Sequence, residues 1–182
     1  MSVRICTTNE NKVREFERML GFDLRPVALD LEEIQTLDTV AACRNKGVLA
    51  FAALGEPVVV DDTGFELAAL DGFPGALVRW AIDAGGTRIL HRMLPEGVRD
   101  TASVVTAVAY VDGAGVQIFV GRLDGRVIAE PRGTNGFGFN AVFVPSGEDR
   151  TLAEMSDAEK DRISPRGQAL RDLAAFLREQ AR

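Results

Sequence analysis

The side chains able to do chemistry fall in a few short blocks, each set where an apolar run gives way to polar or glycine residues. In PVVVDDTGFELAAL, residues 57–70, the apolar run Pro57 to Val60 leads straight into Asp61 and Asp62 and then a Thr63-Gly64 break, so a short buried strand is expected to end there. Neighbouring strand residues face opposite ways. One carboxylate could then be a solvated turn residue while the other looks into whatever lies at the strand's end. Asp, Thr and Gly are also good turn formers. The pair gains chemical meaning only if lysines, a second acid and a phosphate-sized gap converge on it.

TTNENK, residues 7–12, has the form of a strand-to-helix junction, where free backbone N–H groups and the positive end of the helix dipole favour an anion. Thr8 and Asn9 could add side-chain donors, and Lys12, one turn in, could reach the same anion. The same residues read equally well as an N-cap followed by a solvated lysine. This is not a Walker loop, because no G-x-x-x-x-G-K-[ST] is present. Glu32 and Glu33, with Asp61 and Asp62, form two acidic pairs that could meet around Mg²⁺, a hard cation that prefers carboxylate, water and phosphate oxygens. Lys46 sits among Ala42, Leu49 and Ala53 at helical spacing, on ground where a lysine more often snorkels than catalyses. GTNGFGFN (133–140) followed by EKDRISPRG (159–167) offers Phe137 and Phe139 as stacking faces and Lys160, Ser164 and Arg166 as polar readers. Ser164 and Pro165 are also an ordinary helix cap and first turn. His91, the one histidine, has no serine or cysteine motif near it, and both it and Trp80 read as packing residues.

The elements that must position these blocks alternate. VRICTT is a strand, and NENKVREFERML a helix with Val13, Phe16, Met19 and Leu20 at helical spacing and Asn9 as its cap. A strand near RPVAL precedes the acidic DLEEIQTLD, and Asp38 caps a helix running through Leu54 with Val40, Gly47, Ala50, Phe51 and Leu54 on one face. Helical pieces are expected around LVRWAI and TRILHRML, and a hairpin of long strands around DGAG. GFGFNAVFVPSG reads as a strand entered through glycines, SDAEKDR as a short helix, and Pro165 to about Ala181 as a longer one. Helices and strands interleave without a linker or repeat, which points to one α/β domain over 1–182.

Composition narrows the function classes. No apolar run approaches the ~18 residues of a membrane span, and the N-terminus lacks the pattern of a signal peptide, so a cytoplasmic protein is expected. Cys6 and Cys43 are far apart and outside any ligand pattern, which supports neither a disulfide framework nor a zinc site. A net charge of −6 opposes binding to a nucleic-acid polymer, whereas a few local lysines can still hold a small anion chelated by a divalent metal.

In order and spacing, TTNENKVREF, VVVDDTGFELAALDGFPGALVRWA, GTNGFGFNAVFVPSG and TLAEMSDAEKDRISPRGQAL resemble the motifs of the inosine/xanthosine triphosphate pyrophosphatases, enzymes that remove noncanonical purine triphosphates. The likeness runs from about Cys6 to Leu173. It implies an elongated α/β fold of the Maf/ITPase type, with a central mixed sheet and two lobes flanking a nucleotide cleft, usually as a homodimer. It also implies Mg²⁺-dependent hydrolysis of a nucleoside triphosphate to monophosphate and pyrophosphate. By this resemblance Thr8, Asn9, Lys12 and Lys46 meet the phosphates, and Glu33, with Glu32 as the alternative, binds the metal. Asp62 is metal ligand and activator of the attacking water. Phe137, Gly138, Phe139, Asn140, Lys160, Ser164 and Arg166 form the base end. The chain departs from the family pattern there: Asn140 stands where an Asp is usual, and Ser164-Pro165-Arg166 where Ser-His-Arg is usual. Thr7-Thr8-Asn9 replaces Thr-Gly-Asn, a milder change.

Overall fold

In the computed structural model, which describes residues 2–180, the N-terminal part forms two parallel-strand units. Strand β1 (Ser2–Cys6) enters helix α1 (Glu10–Leu20), and the chain returns as β2 (Asp23–Val27), parallel to β1. Helix α2 (Thr39–Leu54) then carries it to β3 (Val58–Leu67) on the other side of β1, again parallel. Both helices start and stop where local chemistry dictates. Asn9 Oδ1 accepts from the N–H groups of Asn11 and Lys12, Asp38 Oδ1 from those of Val40 and Ala41, and Gly21 and Gly55 close the two helices in left-handed conformation. Then follow β4 (Pro74–Gly75), α3 (Val78–Gly85), α4 (Ile89–Arg92), the long hairpin β5 (Thr101–Asp112) and β6 (Gly115–Val127), β7 (Phe143–Pro145), α5 (Asp157–Ile163) and α6 (Pro165–Gln180). Ala181, the expected end of the last helix, lies outside the described residues. The strands make one mixed seven-stranded sheet in the order β2-β1-β3-β5-β6-β7, with β4 on β3.

Two sequence expectations change. The strand does not break at Thr63-Gly64: β3 runs on to Leu67 and pairs with β5 throughout. Gly64 is needed inside it because a Cβ there would fall 2.1 Å from Thr39 Oγ1 and 3.1 Å from the Gly75 backbone, a close approach of three segments. In GFGFNAVFVPSG only Phe143–Pro145 is strand, and Gly138–Ala141 is a turn of 3-10 helix.

Strand alternation explains where the core is interrupted. On one face of β3, Val59 packs with Ile5 of β1, Phe16 of α1 and Leu170 and Leu173 of α6, and Phe65 and Leu67 pack in a second cluster with Leu90, Phe143 and Leu152. Asp61 and Thr63 lie between these clusters on that same face. β5 repeats the pattern: Val108 and Tyr110 belong to the first cluster, Ala102 and Val104 to the second, and Thr106 stands between. The opposite face, carrying Val58 and Val60, packs on α2 through Cys43 and Ala50. A polar stripe thus crosses the sheet between two apolar cores.

Candidate active-site cleft

A gap in strand pairing creates the opening. β1 pairs with β3 only at Val58 and Val59, and β4 only at Phe65 and Glu66, so β3 has no neighbour on that side from Val60 to Gly64. A cleft of about 360 Å³ lies here. Its walls carry Asn9, the cap of α1, Lys12 from α1, Glu33 from the loop before α2, Lys46 from α2, and Asp62 and Thr63 from β3. The cleft is also lined by Arg79 and Trp80 from α3, Phe137 to Asn140, Lys160 from α5, and Ser164 to Arg166 at the start of α6.

The two adjacent carboxylates have opposite surroundings because they lie on opposite faces of β3. Asp61, 1% exposed, points to the α1/α6 side: Lys12 Nζ donates to Oδ1 at 3.0 Å, and the Arg166 guanidinium donates to Oδ2 at 3.0 and 3.1 Å. Burial alone would push its pKa up, but Lys12 and Arg166 reverse that and hold it below the ordinary value. Arg166 also donates to Thr63 Oγ1 and pairs with Glu15, and Glu15 takes Lys160 Nζ at 2.8 Å. Lys12, Asp61, Arg166, Glu15 and Lys160 thus form a chain of alternating charge across the cleft floor, four of them almost wholly buried. Removing one member of such a chain leaves a partner uncompensated, at a cost of ~3–5 kcal/mol.

Asp62 points to the α2 side and has no ion-pair partner among the described residues; the N–H of Thr63 donates to its Oδ1 at 2.8 Å. Its pKa is raised, chiefly by burial, against the pull of Lys12 and Lys46. Lys46 Nζ donates to Glu33 Oε1 at 2.9 Å. Burial works against the charge on Lys46, and Glu33 and then Asp62 more than offset it, so its pKa is raised; burial likewise opposes the charge on Glu33, which Lys46 holds below the usual carboxylate range. Glu33 and Asp62 are hard oxygen donors served by one ammonium. No group of three or more acidic, histidine or cysteine side chains that could cage a metal occurs among the described residues.

The structure brings together Asn9, Lys12, Glu33, Lys46, Asp62, Phe137, Gly138, Phe139, Asn140, Lys160, Ser164 and Arg166. Thr8 is exposed and outside the cleft wall, as is Glu32. The idea of a solvated carboxylate in the Asp61-Asp62 pair is corrected, since Asp61 is the more deeply buried of the two. Lys46 does not snorkel to water but pairs with Glu33. Phe137 lies 5.8 Å from the Arg166 guanidinium, while Phe139 is drawn partly into the core against Phe65. Trp80, expected to pack, is 57% exposed on the cleft rim with Arg79 5.0 Å above its ring. Sequence reasoning missed Glu15, Thr63, Thr106 and Arg79. An acid one turn after Lys12, on the apolar side of its helix, was the available signal for Glu15.

The Ham1 family profile matches residues 3–176 of the chain. A dITP/XTP pyrophosphatase of Hyperthermus butylicus is 36% identical, covering 97% of this chain and 95% of the relative. An inosine triphosphate pyrophosphatase of Yarrowia lipolytica is 40% identical, covering 100% and 98% respectively. Among solved structures, a HAM1 protein from Coxiella burnetii superposes with a TM-score of 0.85 at 28% identity over 98% of this chain and 99% of the other.

Proposed function

The chain belongs to the Ham1 family, and from that membership and the geometry of the cleft we propose that it hydrolyses noncanonical purine nucleoside triphosphates to the monophosphate and pyrophosphate. The observation that carries this reading is the convergence of Lys12, Lys46, Glu33 and Asp62, from four separate segments, on one cleft that also has an aromatic wall at Phe137. A lysine in the first turn of α1 and a second from the middle of α2, beside acids, suit a polyphosphate, and the aromatic face suits a base.

Asn9 and the α1 N-terminus hold phosphate oxygens, and Lys12 and Lys46 stabilise the charge that grows on the departing pyrophosphate. Asp62 accepts the proton of a water attacking the α-phosphorus. The new bond joins water oxygen to phosphorus, and the bond to the bridging oxygen breaks, the electron pair leaving with pyrophosphate. Family members are metal-dependent in general. Glu33 and Asp62 would hold the metal here, and Mg²⁺ is our assignment because both donors are carboxylates. When bound it neutralises phosphate charge and acidifies water. Phe137 stacks on the base, and Phe139, Gly138, Asn140, Lys160, Ser164 and Arg166 shape its end of the cleft. The assembly consistent with family membership is a cytosolic homodimer, which light scattering would read as twice 19.7 kDa.

Pyrophosphate release from inosine, xanthosine and deoxyinosine triphosphates, run beside the four standard triphosphates, tests the reading. Equal amounts of monophosphate and pyrophosphate are expected with Mg²⁺. Stepwise release of inorganic phosphate, or no turnover of any triphosphate, would overturn it.

A further inference from the structure

Of the two acids that would hold the metal, Glu33 is already paired. Lys46 Nζ lies 2.9 Å from Glu33 Oε1, in a side-chain environment four-fifths shielded from water, and Glu33 is its one ion-pair partner among the described residues. The other two lysines of the cleft are engaged elsewhere, Lys12 by Asp61 on the far face of β3 and Lys160 by Glu15, and are not available to replace it. A divalent cation seated on Glu33 and Asp62 would therefore have to take Glu33 from Lys46, leaving that ammonium beside a like charge on the apolar ground of α2, where Ala42 and Leu49 are its neighbours in sequence. Both changes are unfavourable in a partly buried site. A triphosphate removes the conflict, because its oxygens offer the displaced ammonium a new partner and bring further oxygen ligands for the cation.

We propose that Lys46 gates the metal site, occupying Glu33 until a triphosphate draws it away, so that the cation and the nucleotide are taken up together rather than the cation first. This rests on the assignment of Glu33 and Asp62 made above. It gives Lys46 a role before substrate arrives that is opposite in sign to its role in turnover, since the side chain that assists the departing pyrophosphate also holds the acid that the metal requires. The observation that carries the proposal is the 2.9 Å contact between Lys46 Nζ and Glu33 Oε1.

The test is metal binding without nucleotide. Mg²⁺ is titrated by calorimetry and Mn²⁺ by electron paramagnetic resonance into the wild-type chain, Lys46→Met, Lys46→Gln and Lys46→Arg, with a melting curve for each. The neutral variants are expected to bind at least about tenfold more tightly than wild type, a difference of ~1.4 kcal/mol. Lys46→Arg, which keeps a cation on Glu33, is expected to stay close to wild type. Adding Glu33→Gln to Lys46→Met should abolish the gain. Neutral variants that bind no more tightly than wild type, or a gain that survives Glu33→Gln, would overturn the gate. So would a nucleotide-free wild type that binds Mg²⁺ below roughly 10 μM, a result that needs no variant to fold. Failure of the pyrophosphatase reading shows instead in the release assay on the wild-type chain, so a protein that turns over triphosphates yet fails the metal titration loses only the gate.

Discussion

Asp61 and Asp62 are neighbours whose electrostatic situations differ because a strand turns them to opposite faces. Asp61 has its folded pKa lowered, so it contributes stability above the ordinary aspartate value, and that contribution is lost as pH falls through the depressed value. Asp62 has its pKa raised, chiefly by burial, which reverses the sign: its contribution is full below the ordinary aspartate value and lost as pH rises through the raised one. At neutral pH the ionised Asp62 therefore costs the free protein stability. Asp62→Asn is expected to lower kcat by about a hundredfold or more while raising Tm at neutral pH, and the Tm difference should shrink as the pH falls below the ordinary aspartate range. Near-normal kcat would remove Asp62 from the chemistry, and an unchanged Tm would remove the argument from burial. The residues themselves showed both acids, and it was the family resemblance that singled out Asp62; which of the two is buried in a charge chain was not legible. Their faces follow only from a strand that continues past Gly64, and residue types that also make good turns conceal that continuation.

At the scale of elements, the helix ends were legible and the strand was not. Asn9, Asp38, Gly21 and Gly55 act over a few residues of chain, so their cap chemistry can be read locally. Gly64 cannot be read that way, because what demands it is the close approach of Thr39 and Gly75 from other parts of the chain. Trp80 and Glu15 escaped for the same reason: an indole left on a cleft rim and an acid drawn into a buried charge chain are products of packing, not of local pattern. Gly64→Ala puts a methyl group where Thr39 Oγ1 already stands, and overpacking of this kind costs ~1–3 kcal/mol. Lower stability in urea is expected, with Thr39→Ala in the same chain recovering part of it, since the nearest clash is then gone. If the double variant is no more stable than Gly64→Ala alone, the contact at Thr39 is not what makes glycine necessary.

Across the whole molecule, the charge chain from Lys12 through Asp61 and Arg166 to Lys160 ties the phosphate end of the cleft to the base end, so the base end can vary while the metal and phosphate groups stay fixed. Asn140 and Pro165 are where it varies. Asn140 is 7% exposed, its carboxamide lying over Gly136, where a Cβ would come within 2.1 Å of Nδ2, and it makes no side-chain hydrogen bond to another described residue. An ionised carboxylate at this position, as is usual in the resembled family, only accepts hydrogen bonds. It therefore favours a base edge with an N–H, as in hypoxanthine and xanthine, over the N1 acceptor of adenine. A carboxamide carries a donor and an acceptor and can turn over to match either edge. Pro165, in place of the family's histidine, removes an imidazole and a backbone N–H at the other side of the base end, and its carbonyl is packed so closely on Gly121 that a Cβ there would lie 2.0 Å away. With the backbone fixed in this way, a change of side chain at 165 acts on the cleft and not on the course of α6. Loss of a hydrogen-bonded discriminator is worth ~1–3 kcal/mol, roughly ten- to a hundredfold in selectivity. The chain is therefore expected to separate inosine triphosphate from the standard nucleotides weakly, and Asn140→Asp with Pro165→His to sharpen that preference. The measurement is kcat/KM for inosine, xanthosine, adenosine, guanosine and cytidine triphosphates on both proteins. A wild-type chain that already rejects adenosine triphosphate by several hundredfold, with no improvement in the double variant, would show that selectivity is set elsewhere in the cleft.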